Sequence, residues 1–289
     1  MLLVWLVDWL LVTAVLALVG NWSPVAAGGA TLALLVALTV WAASSLNERL
    51  TAFLMGARRP VRQEESQLAA ALAVVEERLA GTYRPRVLVL DRPLPLAWAL
   101  GRRTVLVTAG LLPFCGHGEL AGVLAHEAGH QLSGHATRRQ ILRVLGLSGT
   151  LAGILGRAVL HLGVALGAGS RRSAAGQAAA LLCGLVVYLF RLAYLARQAF
   201  LAAGFRREEY AADTFAARLG LGGALSGYLG RLAWLDQAGP QGWRRTWLDH
   251  PSYGDRVARL ADLRSLIHCT VTRRLDRLKG RPGEKKWRK

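Results

Sequence analysis

Two long apolar stretches near the start of the sequence restrict its possible folds more than any other feature. Residues 2–19 are apolar apart from Asp8 and Thr13, and residues 25–43 carry no charge. The turn between them, residues 21–24, holds an asparagine, a tryptophan, a serine and a proline. Because a helix of about 20 apolar residues crosses a bilayer, the two stretches predict a transmembrane hairpin.

Two weaker apolar stretches follow later in the chain. Residues 144–166 are apolar but contain Arg157 and His161, and residues 178–205 form a further apolar run with few charges. A charge inside a bilayer is unfavourable unless it faces protein or water, so two buried helices of a soluble core are the alternative. We favour a second transmembrane hairpin that turns near residues 169–173, which makes four spans in total.

The distribution of basic residues predicts which side of the membrane the polar segments occupy. The formal net charge is +18. Apart from Arg157, Arg171 and Arg172, all lysines and arginines lie on the side of residues 44–143 or at its boundary. Since basic loops stay inside the cell, this side is predicted to be cytoplasmic. With four apolar spans, the basic excess favours anionic lipid as a partner over nucleic acid.

Three further features concern the location of the protein. Residues 272–289 include nine basic and two acidic residues, which could contact anionic headgroups or form a solvated tail. The cysteines Cys115, Cys183 and Cys269 fit no metal or redox spacing, and an odd unpaired number suits a reducing compartment. We expect no cleavable signal peptide, because the first basic residue is Arg49.

The chain between the two hairpins has the composition of a soluble domain. Residues 64–80 and 118–134 predict helices, and residues 86–90 and 103–108 predict strands. We therefore expect a mainly α membrane protein with a small β-sheet. Its predicted segments are a first hairpin (1–43), the first part of the polar domain (44–143), a second hairpin (144–205), the second part of that domain (206–271) and a basic tail (272–289).

A five-residue motif in the second predicted helix has the spacing of a metal site. The motif is His126-Glu127-Ala128-Gly129-His130. Side chains four positions apart lie on one face of a helix, so both imidazoles can bind one metal ion. Glu127 lies beside the first histidine, where it can take a proton from an attacking water. The alternative is a chance match in a helix with two surface histidines.

A catalytic zinc ion needs a third protein ligand and an open coordination position. His135 is the nearest candidate, which suggests a comparison with the metzincin pattern HExxHxxGxxH. In this register His135 is one residue too early and Gly134 is one residue too late. The only methionines are Met1 and Met55, so no Met-turn follows the motif. The sequence is therefore not that of a metzincin.

If the third ligand is a carboxylate after the motif, few positions are available. No aspartate or glutamate occurs between Glu127 and Glu208. Glu209 and Asp213 are four residues apart and share a helix face, so one could bind the metal while the other orients a ligand histidine. An exposed helix face of arginines and glutamates is the alternative.

The two motifs, separated by a long apolar stretch, resemble those of the HtpX-type family of integral-membrane zinc proteases. This family is a group of gluzincins and includes the CAAX prenyl proteases. Its pattern SRxxE[FY]xAD is matched at five positions, whereas Phe205 stands where serine is usual. The matching residues are Arg206, Glu209, Tyr210, Ala212 and Asp213. The resemblance implies that Glu209 is the third zinc ligand and that Asp213 supports a ligand histidine.

The resemblance continues on both sides of these motifs. Residues 105–112 resemble the family's strand, but residues 96–101 lack the asparagine of the family's NAF-like segment, where substrate lies along an exposed strand edge. Downstream, the segment from His250 to Arg256 resembles the family's HPxxxER pattern, with Asp255 in place of glutamate. In relatives this histidine and arginine lie near the zinc and can stabilise a developing oxyanion. A helix-start loop followed by a solvated arginine is the alternative.

The resemblance implies a zinc endopeptidase of the cell membrane, with Zn²⁺ as cofactor and the active site facing the cytoplasm. Its expected substrates are damaged membrane proteins or cytoplasmic loops of membrane proteins. One alternative is a regulatory protease with a single dedicated substrate, although the sequence shows no sensor domain. A second alternative is a non-catalytic scaffold with a structural metal, which would have no use for Glu127. Prenyl-peptide cleavage is disfavoured because relatives with that activity have more membrane spans.

Overall fold

The computed structural model describes residues 9, 10, 12–14, 16, 17, 20–146, 188, 192, 201–238, 251–263 and 265. The chain divides into two compact units. The first unit comprises Met1–Arg58, Ala99–Leu106 and Gln131–Phe205, and the second comprises Arg59–Trp98, Val107–His130 and Arg206–Lys289.

The described residues are mainly helical and include one small sheet. The helices are α1 (Pro24–Ala42), α2 (Ser45–Leu54), α3 (Arg62–Arg78), α4 (Leu111–Phe114), α5 (His117–Leu132), α6 (135–146), α7 (201–218), α8 (Gly222–Ala238) and α9 (253–263). The strands are β1 (Arg86–Leu90), β2 (Ala97–Leu100) and β3 (Thr104–Thr108), paired in the order β1-β3-β2. The predicted helices at 64–80 and 118–134 and both predicted strands are confirmed to within two residues. Strand β2 was not predicted as a strand.

Helix α1 corresponds to the second predicted membrane span. Pro24 occupies its first turn and the hydroxyl of Ser23 accepts a hydrogen bond from the backbone N–H of Ala26, so the helix starts where the polar turn ends. Among the described residues, α1 is the one helix long and apolar enough to cross a membrane. The first predicted span lies largely outside the described residues, as does most of the predicted hairpin at 144–205. The number of four spans therefore stays a prediction.

The buried core of the first unit joins α1 to α6. Leu35 and Ala42 of α1 are buried together with Ile141 and Leu145. The indole of Trp9 donates a hydrogen bond to the carbonyl of Gly28 and packs against the same cluster. This packing covers one side of α1, whereas several large side chains on its other sides, such as Val25 and Val40, are exposed. An exposed apolar helix surface of this kind fits contact with lipid.

In the first unit, the turn between β2 and β3 is held by a buried carboxylate. Glu48 of α2 accepts hydrogen bonds from the backbone N–H of Arg102 (2.6 Å) and from the hydroxyl of Thr104 (3.2 Å). Gly101 lies in this turn with a positive φ of 60°, a conformation that L side chains rarely adopt. This contact joins residues that are far apart in the sequence and connects α2 to the turn between β2 and β3.

In the second unit, α5 lies in the core and approaches two other helices at glycines. A Cβ added to Gly122 would lie 2.7 Å from the backbone nitrogen of Leu225 in α8. A Cβ added to Gly129 would lie 3.1 Å from the Cα of Ala212 in α7. Because these two glycines have no side chain, α5 can contact the backbones of α7 and α8 directly. The glycine inside the histidine motif therefore has a packing role.

Candidate metal centre

Helix α5 presents the two histidines of the motif to the interior of the second unit. His126 and His130 are 6% and 3% exposed, and Glu127 between them is 5% exposed. The two imidazole rings meet edge to face, with their centroids 4.7 Å apart. Their Nε2 atoms lie 3.1 Å from each other, so both face the same point. The one-turn spacing of the motif places the rings on one helix face, as predicted.

Helix α7 brings the carboxylate of Glu209 to the same point. One of its oxygens lies 3.2 Å from Nε2 of His130 and the other lies 3.5 Å from Nε2 of His126. Glu209 is 1% exposed. The three residues form a group whose ligand atoms all lie within 4.8 Å of one another. The sequence offered Glu209 and Asp213 as candidate carboxylate ligands after the motif. Of these two, Glu209 belongs to the group.

These distances fit a tetrahedral metal ion. An ion with bonds of about 2.0–2.1 Å to nitrogen and oxygen holds its ligand atoms about 3.3–3.4 Å apart. The two imidazole nitrogens lie 3.1 Å apart, and each has a different oxygen of Glu209 at 3.2 or 3.5 Å, which is close to this spacing. Two imidazoles and one carboxylate also form a frequent ligand set of catalytic zinc sites, which leaves a fourth position for water or substrate. The three side chains are therefore close enough to hold one divalent metal ion.

Asp213 fixes the orientation of the first histidine. Its Oδ1 lies 2.9 Å from Nδ1 of His126, on the side of the ring opposite the metal position. A hydrogen bond there places the proton on Nδ1 and leaves Nε2 as the metal-binding nitrogen. Glu209 and Asp213 are one turn apart on α7, so a single helix supplies both the ligand and its support. This geometry favours Glu209 as the ligand and Asp213 as the residue that supports His126.

Arg256 of α9 connects the two carboxylates. Its guanidinium donates to both oxygens of Asp213, from Nε at 2.9 Å and from Nη2 at 2.6 Å. Its Nη1 lies 3.1 Å from Glu209, and its Nη2 lies 3.4 Å from the ring of His126. Arg256 is 5% exposed, so it is not a solvated arginine. A two-pronged contact with one carboxylate is a strong and geometrically specific interaction.

These buried charges shift each other's pKa values. Burial raises the pKa of Asp213, but hydrogen bonds from His126 and Arg256 outweigh it and hold this pKa below the ordinary value. Burial and the charge of Arg256 act to lower the pKa of His126. Hydrogen bonds to Asp213 and Glu209 oppose both effects and raise the pKa of His126 to about 9. A metal ion held by this ring would compete with a proton for the same nitrogen.

Tyrosines that the sequence analysis did not single out lie around the motif. The hydroxyl of Tyr228 in α8 donates to the carbonyl of Pro95 at 2.8 Å, just before β2. Burial raises the pKa of Tyr228, and the charges of nearby groups including Glu127 act in the same direction. Burial followed by the charge of Glu127 also raises the pKa of Tyr83. No motif or spacing in the sequence points to either residue.

Two histidines from the sequence analysis do not enter this group. His250, predicted to lie near the metal, falls outside the described residues, so its position stays a prediction. His135 lies at the start of α6 and is not part of the ligand group. Of the residues predicted for the site, the structure brings together His126, His130, Glu209, Asp213 and Arg256. Glu127 is buried on α5 between the two histidines.

Comparison with known proteins identifies the family. A sequence model of peptidase family M48 matches residues 60–264, which include every residue of the candidate metal centre. The chain belongs to peptidase family M48. Membership in this family of metalloproteases implies a divalent metal, and the buried group of two histidines and one glutamate is a possible site for it.

This M48 peptidase is of the HtpX type. It is 31% identical over 211 residues to a protease HtpX homolog of Acidiphilium cryptum, covering 72% of this chain and 69% of that protein. It is 29% identical over 237 residues to a protease HtpX homolog of Tropheryma whipplei, covering 74% and 78%. A crystal structure of S. mikatae Ste24p matches with a TM-score of 0.49 and 15% identity, covering 90% of this chain and 66% of that one.

Proposed function

We propose that this M48 peptidase is a zinc endopeptidase embedded in the cell membrane, with its active site facing the cytoplasm. The observation that carries this proposal is the buried group of His126, His130 and Glu209, whose ligand atoms all lie within 4.8 Å of one another. Zn²⁺ suits this group because nitrogen and carboxylate ligands in tetrahedral geometry are typical of catalytic zinc. Three protein ligands leave one position open for chemistry.

The chemistry divides between the metal and the residues around it. A bound divalent ion supplies a Lewis acid that lowers the pKa of water and polarises a carbonyl. Glu127 follows His126 directly on α5, and its role is that of a general base that takes a proton from the attacking water and passes it to the leaving amine. A base of this kind has no purpose in a structural metal site. The presence of Glu127 therefore favours an enzyme over a scaffold.

The remaining residues hold the ligands in place. Asp213 orients His126, and Arg256 binds Asp213 and Glu209 together. Because the guanidinium of Arg256 already contacts two carboxylates, its first role is to position them and to balance their charge. We retain the proposal that Arg256 and His250 also stabilise the oxyanion of the tetrahedral intermediate. A cationic group within reach of the metal position supports this for Arg256.

The membrane location and the substrates are further parts of the proposal. Helix α1 has the length and apolar surface of a membrane span, and the predicted four-span topology puts most basic residues on the side of the metal centre. An active site on that side, next to the bilayer, suits cytoplasmic loops of membrane proteins and unfolded segments as substrates. Strand β2 is an edge strand of the described sheet, and sheet edges are where extended peptides commonly bind.

A single substitution tests the catalytic part of the proposal. The full-length protein and a Glu127→Gln variant are purified with the metal retained, and cleavage of an unfolded protein and of a membrane protein is followed. We expect the variant to bind metal as the parent does and to lose at least about a hundredfold in kcat, because a general base contributes this much. Equal cleavage by both proteins would reject proteolysis at this centre.

A further inference from the structure

A small depression lies on the outer side of the helices that form the metal centre. Its volume is about 290 Å³, and it is lined by Arg207, Tyr210, Ala211, Thr214 and Arg259. The first four residues follow the pattern i, i+3, i+4, i+7, so they share one face of α7, whereas Arg259 comes from α9. Both helices carry centre residues on their buried sides, namely Glu209 and Asp213 on α7 and Arg256 on α9.

Two arginines give this depression its charge. Arg207 and Arg259 are both exposed, and within the described part of the chain neither forms an ion pair. Asp255 and Asp262 lie one turn to either side of Arg259 on α9 but form no ion pair with it. The charge of the depression is therefore positive and is not neutralised by the described acidic side chains.

The second arginine is held in a defined position. The guanidinium of Arg259 lies over the ring of Tyr210, 4.6 Å from its centroid. Stacking of this kind restrains the arginine and leaves the N–H groups at the edge of its plane free to donate. The hydroxyl of Thr214 donates to the carbonyl of Tyr210, so it offers no donor to a ligand. The donors that line the depression are thus mainly the two guanidinium groups.

We propose that this depression binds a phosphate group. Two guanidinium groups from different helices can donate to different oxygens of one tetrahedral phosphate, whereas a planar carboxylate matches a single guanidinium. The phosphate could belong to a lipid headgroup, since Arg207 directly follows the predicted second hairpin, or to free phosphate in the cytoplasm. In either case the ligand joins α7 to α9 on the side opposite the contact between Asp213 and Arg256.

The test uses the full-length protein in a neutral detergent with two probes. The probes are inorganic phosphate and a short-chain phosphatidic acid below its micelle concentration, and binding is measured by calorimetry. We expect saturable binding of at least one probe. The double variant Arg207→Gln/Arg259→Gln should bind about thirtyfold more weakly, because each basic residue near an anionic group contributes about a factor of five.

A matched control removes the same charge elsewhere. In Arg62→Gln/Arg84→Gln, two exposed arginines of the same unit are neutralised at positions outside the depression, and we expect less than about a threefold loss. The variant Arg207→Lys/Arg259→Lys keeps the charge but loses the planar donors. Its affinity for the probe should therefore lie between those of the glutamine double variant and the control.

Saturable binding of phosphate alone identifies a soluble ligand, and saturable binding of the lipid probe alone identifies a headgroup. Absence of saturable binding, or an equal loss in the control, would overturn the proposal.

Discussion

The carboxylate of Asp213 lies 2.9 Å from Nδ1 of His126 while it also receives two hydrogen bonds from Arg256. One side chain therefore links a metal-binding ring to a buried positive charge. The arrangement directs Nε2 of His126 towards the metal position. It depends on a charge that must stay ionised inside the protein, and the pKa of Asp213 is lowered accordingly.

The substitution Asp213→Asn should weaken metal binding. An asparagine can still accept a hydrogen bond from His126, but it leaves the guanidinium of Arg256 with one fewer buried counter-charge. We expect metal affinity to fall about 10–100-fold, as is typical when the partner of a ligand histidine is changed. Competition with a chelator measures this. The control Asp255→Asn changes an exposed carboxylate of α9 and should leave affinity unaltered. If Asp213→Asn and the parent bind the metal with equal affinity, Asp213 does not support metal binding.

Gly129→Ala should disturb the centre without changing a ligand. The added Cβ would lie 3.1 Å from the Cα of Ala212 and 3.2 Å from the side chain of Phe215, so α7 must move away from α5. We expect a loss of about 1–3 kcal/mol in unfolding free energy together with weaker metal binding. The control Gly118→Ala lies on the same helix, and no atom lies within 4 Å of the added Cβ. If both variants have the same unfolding free energy and the same metal affinity, the close approach of α5 and α7 contributes to neither.

Gly101→Ala tests the buried carboxylate in the first unit. The new Cβ would lie 2.2 Å from Oε1 of Glu48, which accepts the hydrogen bond from Arg102. Backbone strain at positive φ and the displaced hydrogen bonds together predict a loss of about 3 kcal/mol or more. Thermal unfolding in detergent measures it. In Gly81→Ala the φ of 70° is similar but the Cβ has open space, so this variant should lose only about 1–2 kcal/mol. Equal losses would mean that Glu48 moves aside freely.

Cys115 should react slowly and with a steep dependence on pH. Burial raises the pKa of its thiol to about 12, the charge of Glu119 adds to this, and the charge of Arg231 opposes it. Since only the thiolate is alkylated, we expect a rate at pH 8 about thirtyfold below that of a free thiol. The rate should rise about tenfold per pH unit between pH 8 and pH 10. Iodoacetamide labelling of the Cys115 peptide, followed by mass spectrometry, measures both quantities. A rate that levels off near pH 9 would contradict an elevated pKa.

Short sequence patterns predicted the features of this fold that depend on residues close together in the chain. The four-residue spacing of His126 and His130 predicted that the rings share a helix face, and Gly81 predicted the end of α3. The absence of acidic residues between Glu127 and Glu208 reduced the choice of a third ligand to a few positions. Family resemblance then selected Glu209, and in the structure its carboxylate lies close to both imidazoles.

Contacts between distant segments could not be predicted in this way. The bond from Tyr228 to Pro95 and the support of the β2–β3 turn by Glu48 join residues that no periodicity relates. The sequence alternative for Arg256 was a solvated side chain, because a lone arginine in a helix is usually exposed. Its burial follows from two carboxylates on α7, and these become neighbours only when the chain is folded.

The candidate metal site draws its residues from two distant parts of the chain, residues 126–130 and residue 209. During synthesis, the ribosome releases both histidines well before it releases the glutamate. A chain that is still being made, or one cut between these parts before folding, lacks the carboxylate of Glu209. The group of three side chains can therefore form only after residue 209 has been synthesised.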